Sequence, residues 1–253
     1  METSYQRKYW EGVVNIIRFN WHFYVLAFGI VLVVCILIYL DVFTGLIQPI
    51  AGIGTGIAFF YLLGSLVVSH FIYDRSDLYK LTWLNRLQLS GIGTFVNIHS
   101  GFDETSLLLQ RFFPGADWKI LDFYDPAKNT EISIKRARKY KPVVAGTRTV
   151  QTTNWNLLSG SVTTIFGFLA IHEIRTPEEK VLFFQEAYRV LEKEGHFILI
   201  EHLRDRNNFL AYGPGFFHFF SERSWKEAFN KTEFLLIDQF RISPFISVFV
   251  LKK

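Results

Sequence analysis

Residues 187–200 read Ala187-Tyr188-Arg189-Val190-Leu191-Glu192-Lys193-Glu194-Gly195-His196-Phe197-Ile198-Leu199-Ile200. The first part closes a helix expected over residues 178–192, which Thr176-Pro177 opens as a cap and first-turn pair. Gly195 then starts an apolar strand at residues 196–200. A helix that passes through a short turn into such a strand is the repeating unit of an α/β fold.

The same alternation extends outward. Upstream, strands are expected at residues 94–98, 118–123, 143–150 and 162–168. One helix begins at Asp103 or Glu104 and ends near Pro114-Gly115; another, strongly basic, covers residues 128–139. Downstream, Ser221 caps a short helix over residues 221–229 with Glu222 in its first turn. Two last strands, residues 233–241 and 245–251, flank Ser243-Pro244. This pattern predicts a mainly parallel sheet with helices on both faces and an antiparallel edge at the C-terminal end.

Before residue 94 the pattern is different. Residues 23–40 are apolar almost without break, enough to cross a hydrocarbon core of ~30 Å at 1.5 Å per residue. A second apolar run covers residues 50–72, and between Phe23 and Tyr73 the only formal charge is Asp41. Arg7, Lys8 and Arg18 precede the first run, Arg75, Lys80 and Arg86 follow the second, and the loop at residues 41–48 has no Lys or Arg. The positive-inside rule places both ends of this hairpin in the cytoplasm. A cleaved signal peptide fits poorly, because a second span follows directly and no small-x-small site lies between.

Gly52-Ile53-Gly54-Thr55-Gly56 imitates a nucleotide loop, but it lacks the preceding strand and lies in an apolar run. Gly52 and Gly56 are expected to let a neighbouring helix approach closely. Residues 77–89, with Leu78, Leu81, Leu84 and Leu87, read as an amphipathic helix at the membrane surface or against the following domain. The chain thus divides into a cytosolic segment (1–21), a transmembrane hairpin (22–73), an amphipathic linker helix (74–93) and an α/β domain (94–253).

Half of the 253 residues are hydrophobic, and the formal net charge is +4. The juxtamembrane Arg and Lys account for much of that charge, so a nucleic-acid partner is not expected. The single Cys35 excludes a disulfide within the chain and fits a reducing compartment. The expected location is the cell inner membrane, multi-pass, with the α/β domain cytoplasmic.

Residues 187–200 resemble the helix–glycine–strand signature of class I S-adenosylmethionine-dependent methyltransferases, and residues 169–174 resemble the segment after their fourth strand. The resemblance covers residues 94–253 and implies a Rossmann-like seven-stranded sheet. It implies S-adenosylmethionine as cofactor, bound by Asn97, His99, Ser100 and Gly101 after the first strand. Where the family has an acidic residue and three alternating glycines, this stretch keeps only Gly101. At the second strand's end the resemblance gives Asp122 the cofactor's ribose hydroxyls; Asp125 is the alternative, or else a helix cap. Asn154 stands where the family often has an acid near the adenine amino group.

By the same resemblance His172 faces the methyl donor, with Glu201 or His202 across the pocket. A hydroxyl acceptor needs a base, a role that histidine suits near neutral pH. No metal site is expected, since His172, Glu173, Glu201 and His202 match no familiar ligand spacing. Tyr212 and His218 are candidate substrate contacts. They sit in an aromatic stretch, Phe216-Phe217-His218-Phe219-Phe220, that reads as a substrate lid, an interfacial loop or sheet packing.

These readings point to a membrane-anchored methyltransferase acting on a hydrophobic small molecule such as a quinone precursor, an aryl or polyene pigment, or a lipid. Two other readings stand beside it. A non-catalytic methyltransferase-like scaffold is motivated by the missing glycines. A membrane assembly or transport component would need polar residues inside the spans, and His70 is nearly alone there.

Overall fold

The computed structural model describes residues 7–89, 93–141 and 143–253. It opens with two long helices, α1 (Glu11–Tyr39) and α2 (Ile47–His70), joined by a short loop. Both are apolar and long enough to cross a membrane. Helix α1 starts at Glu11, ahead of the apolar run, and its first turns dock on the α/β domain: Gly12, Val13, Asn15 and Phe19 are buried. Its N-terminus is capped from α2's side. The Asp74 carboxylate accepts the N–H groups of Gly12 at 2.6 Å and Val13 at 3.0 Å, satisfying donors that a helix start leaves free.

Gly52 and Gly56 do not serve the hairpin contact. A side chain at either would meet nothing within 4 Å, whereas Ala51, Gly54, Thr55 and Ala58 share a hollow with α1 residues. The whole glycine run is helical, inside α2.

The linker is not an α-helix. After a π-helical turn, Phe71–Arg75, the chain turns and forms a 3₁₀ segment, Thr82–Leu87, between two left-handed residues, Leu81 (φ 60°) and Gln88 (φ 46°). Leu78 lies in the turn before this segment, Leu81 is its left-handed entry and Leu84 is inside it, and all three are buried against the sheet.

The sheet has seven strands in the order β3-β2-β1-β4-β5-β7-β6. These are β1 (Thr94–His99), β2 (Asp117–Asp122), β3 (Arg148–Thr149), β4 (Val162–Phe168), β5 (Leu191–His202), β6 (Leu235–Ser243) and β7 (Ile246–Lys252). The first five are parallel, and β7 runs antiparallel to both β5 and β6. Between the strands lie α3 (Ser106–Phe112), α4 (Ile132–Tyr140), α5 (Pro177–Val190), α6 (Arg206–Tyr212) and α7 (Glu222–Asn230). Alternate residues feed two cores. Val96, Phe197 and Leu199 join Phe183, Phe184 and Trp225 of α5 and α7, while Phe95, Phe166 and Ile198 join Leu109 of α3 and the 78–84 segment.

Two strands depart from expectation. The third is only Arg148–Thr149, because the residues before it turn at Gly146 (φ 87°). β5 begins at Leu191, before Gly195 rather than after it. Gly195 lies within the strand, at a site where a Cβ would come within 2.9 Å of the Glu192 carbonyl and 3.1 Å of the Thr163 carbonyl. The basic helix starts at Ile132 rather than 128. Asp125 instead closes the preceding turn, accepting the Ala127 N–H at 2.9 Å.

Candidate functional site

The parallel strands point their C-terminal ends toward α1, the edge at which open α/β sheets bind ligands. A cavity of about 270 Å³ lies there. Its floor is His99 and Ser100 after β1, Phe168 to Ala170 after β4, and His202 at the end of β5; its roof is Asn15, Ile16 and Phe19 of α1. The apolar helix is therefore a wall of the site.

His172 enters this cavity from a 3₁₀ turn, Ile171–Glu173, directly after β4. The fully buried Glu201 fixes it. Glu201 Oε2 lies 2.7 Å from His172 Nδ1, and Oε1 accepts the backbone N–H groups of Ile171 (2.9 Å) and His172 (3.1 Å). A carboxylate only accepts, so Nδ1 carries the proton and Nε2 is left for other partners; Glu173 is 3.6 Å from it. Burial pushes the His172 pKa down, but the charge and hydrogen bond of Glu201, and then Glu173, outweigh it and leave the imidazole above its ordinary value. Glu201 itself is not in the cavity wall, so the structure makes it a positioning residue.

Glu173 is held low. Burial opposes ionisation, yet the hydrogen bond from His218, the charges of His172 and His218, and Arg175 bring its pKa to about 2. His172, Glu173 and His218 have potential ligand atoms within 4.8 Å of one another, which brings His218, not Glu201 or His202, into the set. Arg175 donates to His218 Nδ1 at 2.6 Å, and a metal cation there would have to face that guanidinium.

His202 has a different character. Its Nδ1 lies 3.1 Å from the Phe245 carbonyl, so Nδ1 donates and Nε2 accepts the Tyr73 hydroxyl at 2.9 Å. Burial drives its pKa down to about 4, so it is neutral at physiological pH. Phe219 stacks on it with ring centroids 4.6 Å apart.

The aromatic stretch divides its duties by residue. Phe219 lines the cavity, Phe220 packs on Trp225, and Phe217 is exposed. Arg204 holds this backbone in place by donating to the carbonyls of Phe217 and Phe219. Tyr212 and His218 lie outside the first cavity but line a neighbouring one of about 610 Å³, between α1, α2 and this stretch.

At the β1 and β2 ends the expected cofactor residues separate. His99 and Ser100 are buried and line the cavity, and both His99 ring nitrogens and the Ser100 hydroxyl lack a hydrogen-bond partner among the described residues. Asn97 is buried and does not line this cavity: its Nδ2 donates to the hydroxyls of Thr105 and Ser106 around the start of α3, while its Oδ1 lacks a hydrogen-bond partner among the described residues. Asp122 is buried, with Oδ1 accepting the N–H groups of Gly101 (2.8 Å) and Tyr124 (2.9 Å). Its Oδ2 pairs with Arg138 of α4 at 2.6 Å. Gly101 is retained for a local reason as well: it has φ 82°, and a Cβ would press on Tyr124 and Arg138. Asn154 is exposed and accepts the Asn156 N–H; Gln151, Thr152 and Thr153 instead line a hollow of about 550 Å³ beside Tyr124 and Asn129.

Sequence reasoning missed Tyr73, Arg138 and the α1 wall. The wall had a signal: Gly12, Asn15, Ile16 and Phe19 recur at helical spacing ahead of the apolar run. Arg138 had none, because it is one cation in a basic helix.

No family model and no curated protein matches the chain. Solved structures do. The complex between the Haloferax volcanii Trm112 methyltransferase activator and a methyltransferase aligns with a TM-score of 0.52 at 15% identity, covering 76% of this chain and 96% of that one. The domain has the class I methyltransferase fold. A Pyrococcus horikoshii OT3 protein aligns with a TM-score of 0.50 at 14% identity over 68% of this chain and 89% of its own. An Aquifex aeolicus SAM-dependent methyltransferase gives a TM-score of 0.49 at 14% identity, covering 71% and 93%. The roof of the cavity is built by α1 of this chain.

Proposed function

We propose that this protein is a membrane-embedded S-adenosylmethionine-dependent methyltransferase that methylates a hydroxyl on a hydrophobic acceptor, with its α/β domain in the cytoplasm. One observation carries the reading: a buried carboxylate fixes His172 Nδ1, and the same histidine lines a cavity at the end of the sheet. That is the arrangement a general base requires. Membrane placement is supported by the outward faces of the hairpin, where Val25, Leu26, Phe60 and Val67 are each more than 60% exposed.

The residues fit the cofactor best at the β1 end. His99 and Ser100 offer polar atoms without hydrogen-bond partners among the described residues where its amino-acid portion would lie, with His99 Nδ1 3.8 Å from Asp122 Oδ1. At the β2 end Arg138 must yield Asp122; its side chain is 30% exposed and can swing to solvent. When bound, S-adenosylmethionine supplies an activated methyl group whose transfer to oxygen releases the acceptor's proton. His172 takes that proton at Nε2, and Glu201 stabilises the resulting imidazolium through Nδ1. Neutral His202 and Phe219 shape the apolar side of the cavity, while α1 excludes water from it.

The scaffold reading is favoured by one fact, the occupation of Asp122 by Arg138. Calorimetric titration of the detergent-solubilised protein with S-adenosylmethionine separates the two. Saturable binding supports the enzyme, and absence of binding in both wild type and Arg138→Ala supports the scaffold.

A further inference from the structure

The space between α1 and α2 adjoins the cavity at the sheet end. The 610 Å³ cavity and the 270 Å³ cavity share Ile16, Asn20, Tyr73, Ser133 and Phe219 as common walls. The larger one runs up between the helices, bounded by Tyr24 and Ala27 of α1 and by Ala58, Tyr61, Ser65 and Ser69 of α2. Small residues on facing helices usually let backbones close together. Here Ala27, Ala58, Ser65 and Ser69 border an open groove instead.

We infer that this groove is a binding site for the chain of a single-chain lipid, whose hydroxyl head descends past Tyr73 to His172; the assignment of the head to His172 rests on the methyltransferase reading. Three features identify the occupant. The groove follows α2 from Ala58 and the π-helical turn as far as Tyr73, ~20 Å at about 1.5 Å per residue, so it suits an extended chain rather than a compact ring system. Its lining is amphiphilic, with Phe23, Ala27 and Leu62 beside the rings of Tyr24 and Tyr61, and Asn20, Ser133 and Tyr73 where it meets the smaller cavity. Charge bears on the head: charged groups bordering the two cavities already pair with one another, Arg7 with Glu104 at 2.8 Å, and Glu131 and Glu173 with His218 at 3.4 Å and 3.7 Å. An uncharged hydroxyl fits this lining, and a phosphate does not.

The test uses the full chain in phosphatidylcholine vesicles containing hexadecanol with a mid-chain diazirine. After irradiation, adducts are mapped by mass spectrometry. Adducts concentrated on Tyr24, Tyr61 and Phe219, reduced roughly tenfold by Ala58→Trp through overpacking of the groove, are the expected result. Adducts spread evenly over the outward residues Val25, Leu26 and Phe60, or a groove signal that Ala58→Trp leaves intact, would overturn the assignment. Ser65→Leu is read in the same way where Ala58→Trp does not fold. A parallel titration with S-adenosylmethionine keeps the two proposals apart. Groove adducts without cofactor binding retain the lipid site and reject the methyltransferase, and cofactor binding without groove adducts does the reverse.

Discussion

Glu201 grips His172 at two levels, holding the imidazole through one oxygen and the backbone of the same residue through the other. Ring orientation and turn geometry are therefore set by one buried carboxylate, and Glu201→Gln changes the charge while keeping an acceptor. Turnover of a hydroxyl acceptor is expected to fall by on the order of 10-fold, less than the ~10²–10⁴-fold loss expected for His172→Ala. Because Glu201 raises the His172 pKa, the rise of rate with pH should move to lower pH in the Gln variant. An unshifted pH profile in a folded variant would remove His172 from the role of base.

Stability should record the same cluster in acid. The Glu173 pKa is depressed to about 2, below its ordinary value of 4.5. A depressed carboxylate contributes stability that is present above its unfolded pKa and lost as pH falls toward the folded one. Wild type should therefore melt above Glu173→Gln at pH 6, and the two melting curves should converge between pH 4.5 and about 2. A gap that stays constant across that window would show that the carboxylate's charge does not matter.

Asp122 calls for a conservative variant. Asp122→Ala would also release the Gly101 and Tyr124 N–H groups, mixing loop damage with ligand loss. Asp122→Asn keeps an acceptor for both and should weaken S-adenosylmethionine binding by about 1–3 kcal/mol. Arg138→Ala should have the opposite sign, tightening binding because nothing then competes for Oδ2. Calorimetry that finds Arg138→Ala weaker than wild type would instead make the arginine a cofactor ligand.

Topology is checked with thiols introduced after replacing Cys35. A cysteine at Thr44, in the exposed loop between the helices, should react with an impermeant maleimide added outside intact cells. One at Lys231, exposed on the α/β domain, should react only after lysis. The reverse pattern would place the domain outside the cytoplasm.

Much of the sheet was legible because β4 and the helix–strand passage around Gly195 are local patterns, with apolar runs bounded by turn residues. The antiparallel edge followed from the short Ser243-Pro244 connection. What was not legible depends on distance along the chain. Leu78, Leu81 and Leu84 look helical by spacing, and only the two left-handed residues beside the 3₁₀ segment reveal that they fold as turns. The candidate site shows the same division. His172, Glu201 and His202 could be placed at strand ends from sequence, but their separate roles arise from partners 29 to 129 residues away. Arg138 on Asp122 is of the same kind: no spacing rule relates a residue in a basic helix to the strand end it covers.

The Asp74 cap on α1 has a wider meaning for how this molecule can be taken apart. Gly12 sits so close to the end of α2 that a Cβ there would fall 2.3 Å from the Tyr73 Cβ, and the Asp74 carboxylate closes the seam. The hairpin is thereby a clasp, shut at the end where Gly12, Tyr73 and Asp74 meet. Cutting the chain after the clasp would remove Asn15, Ile16 and Phe19 and leave the cavity of the α/β domain unroofed. Helix α1 is a wall of the cavity, and exchanging it for a generic tether would take that wall away.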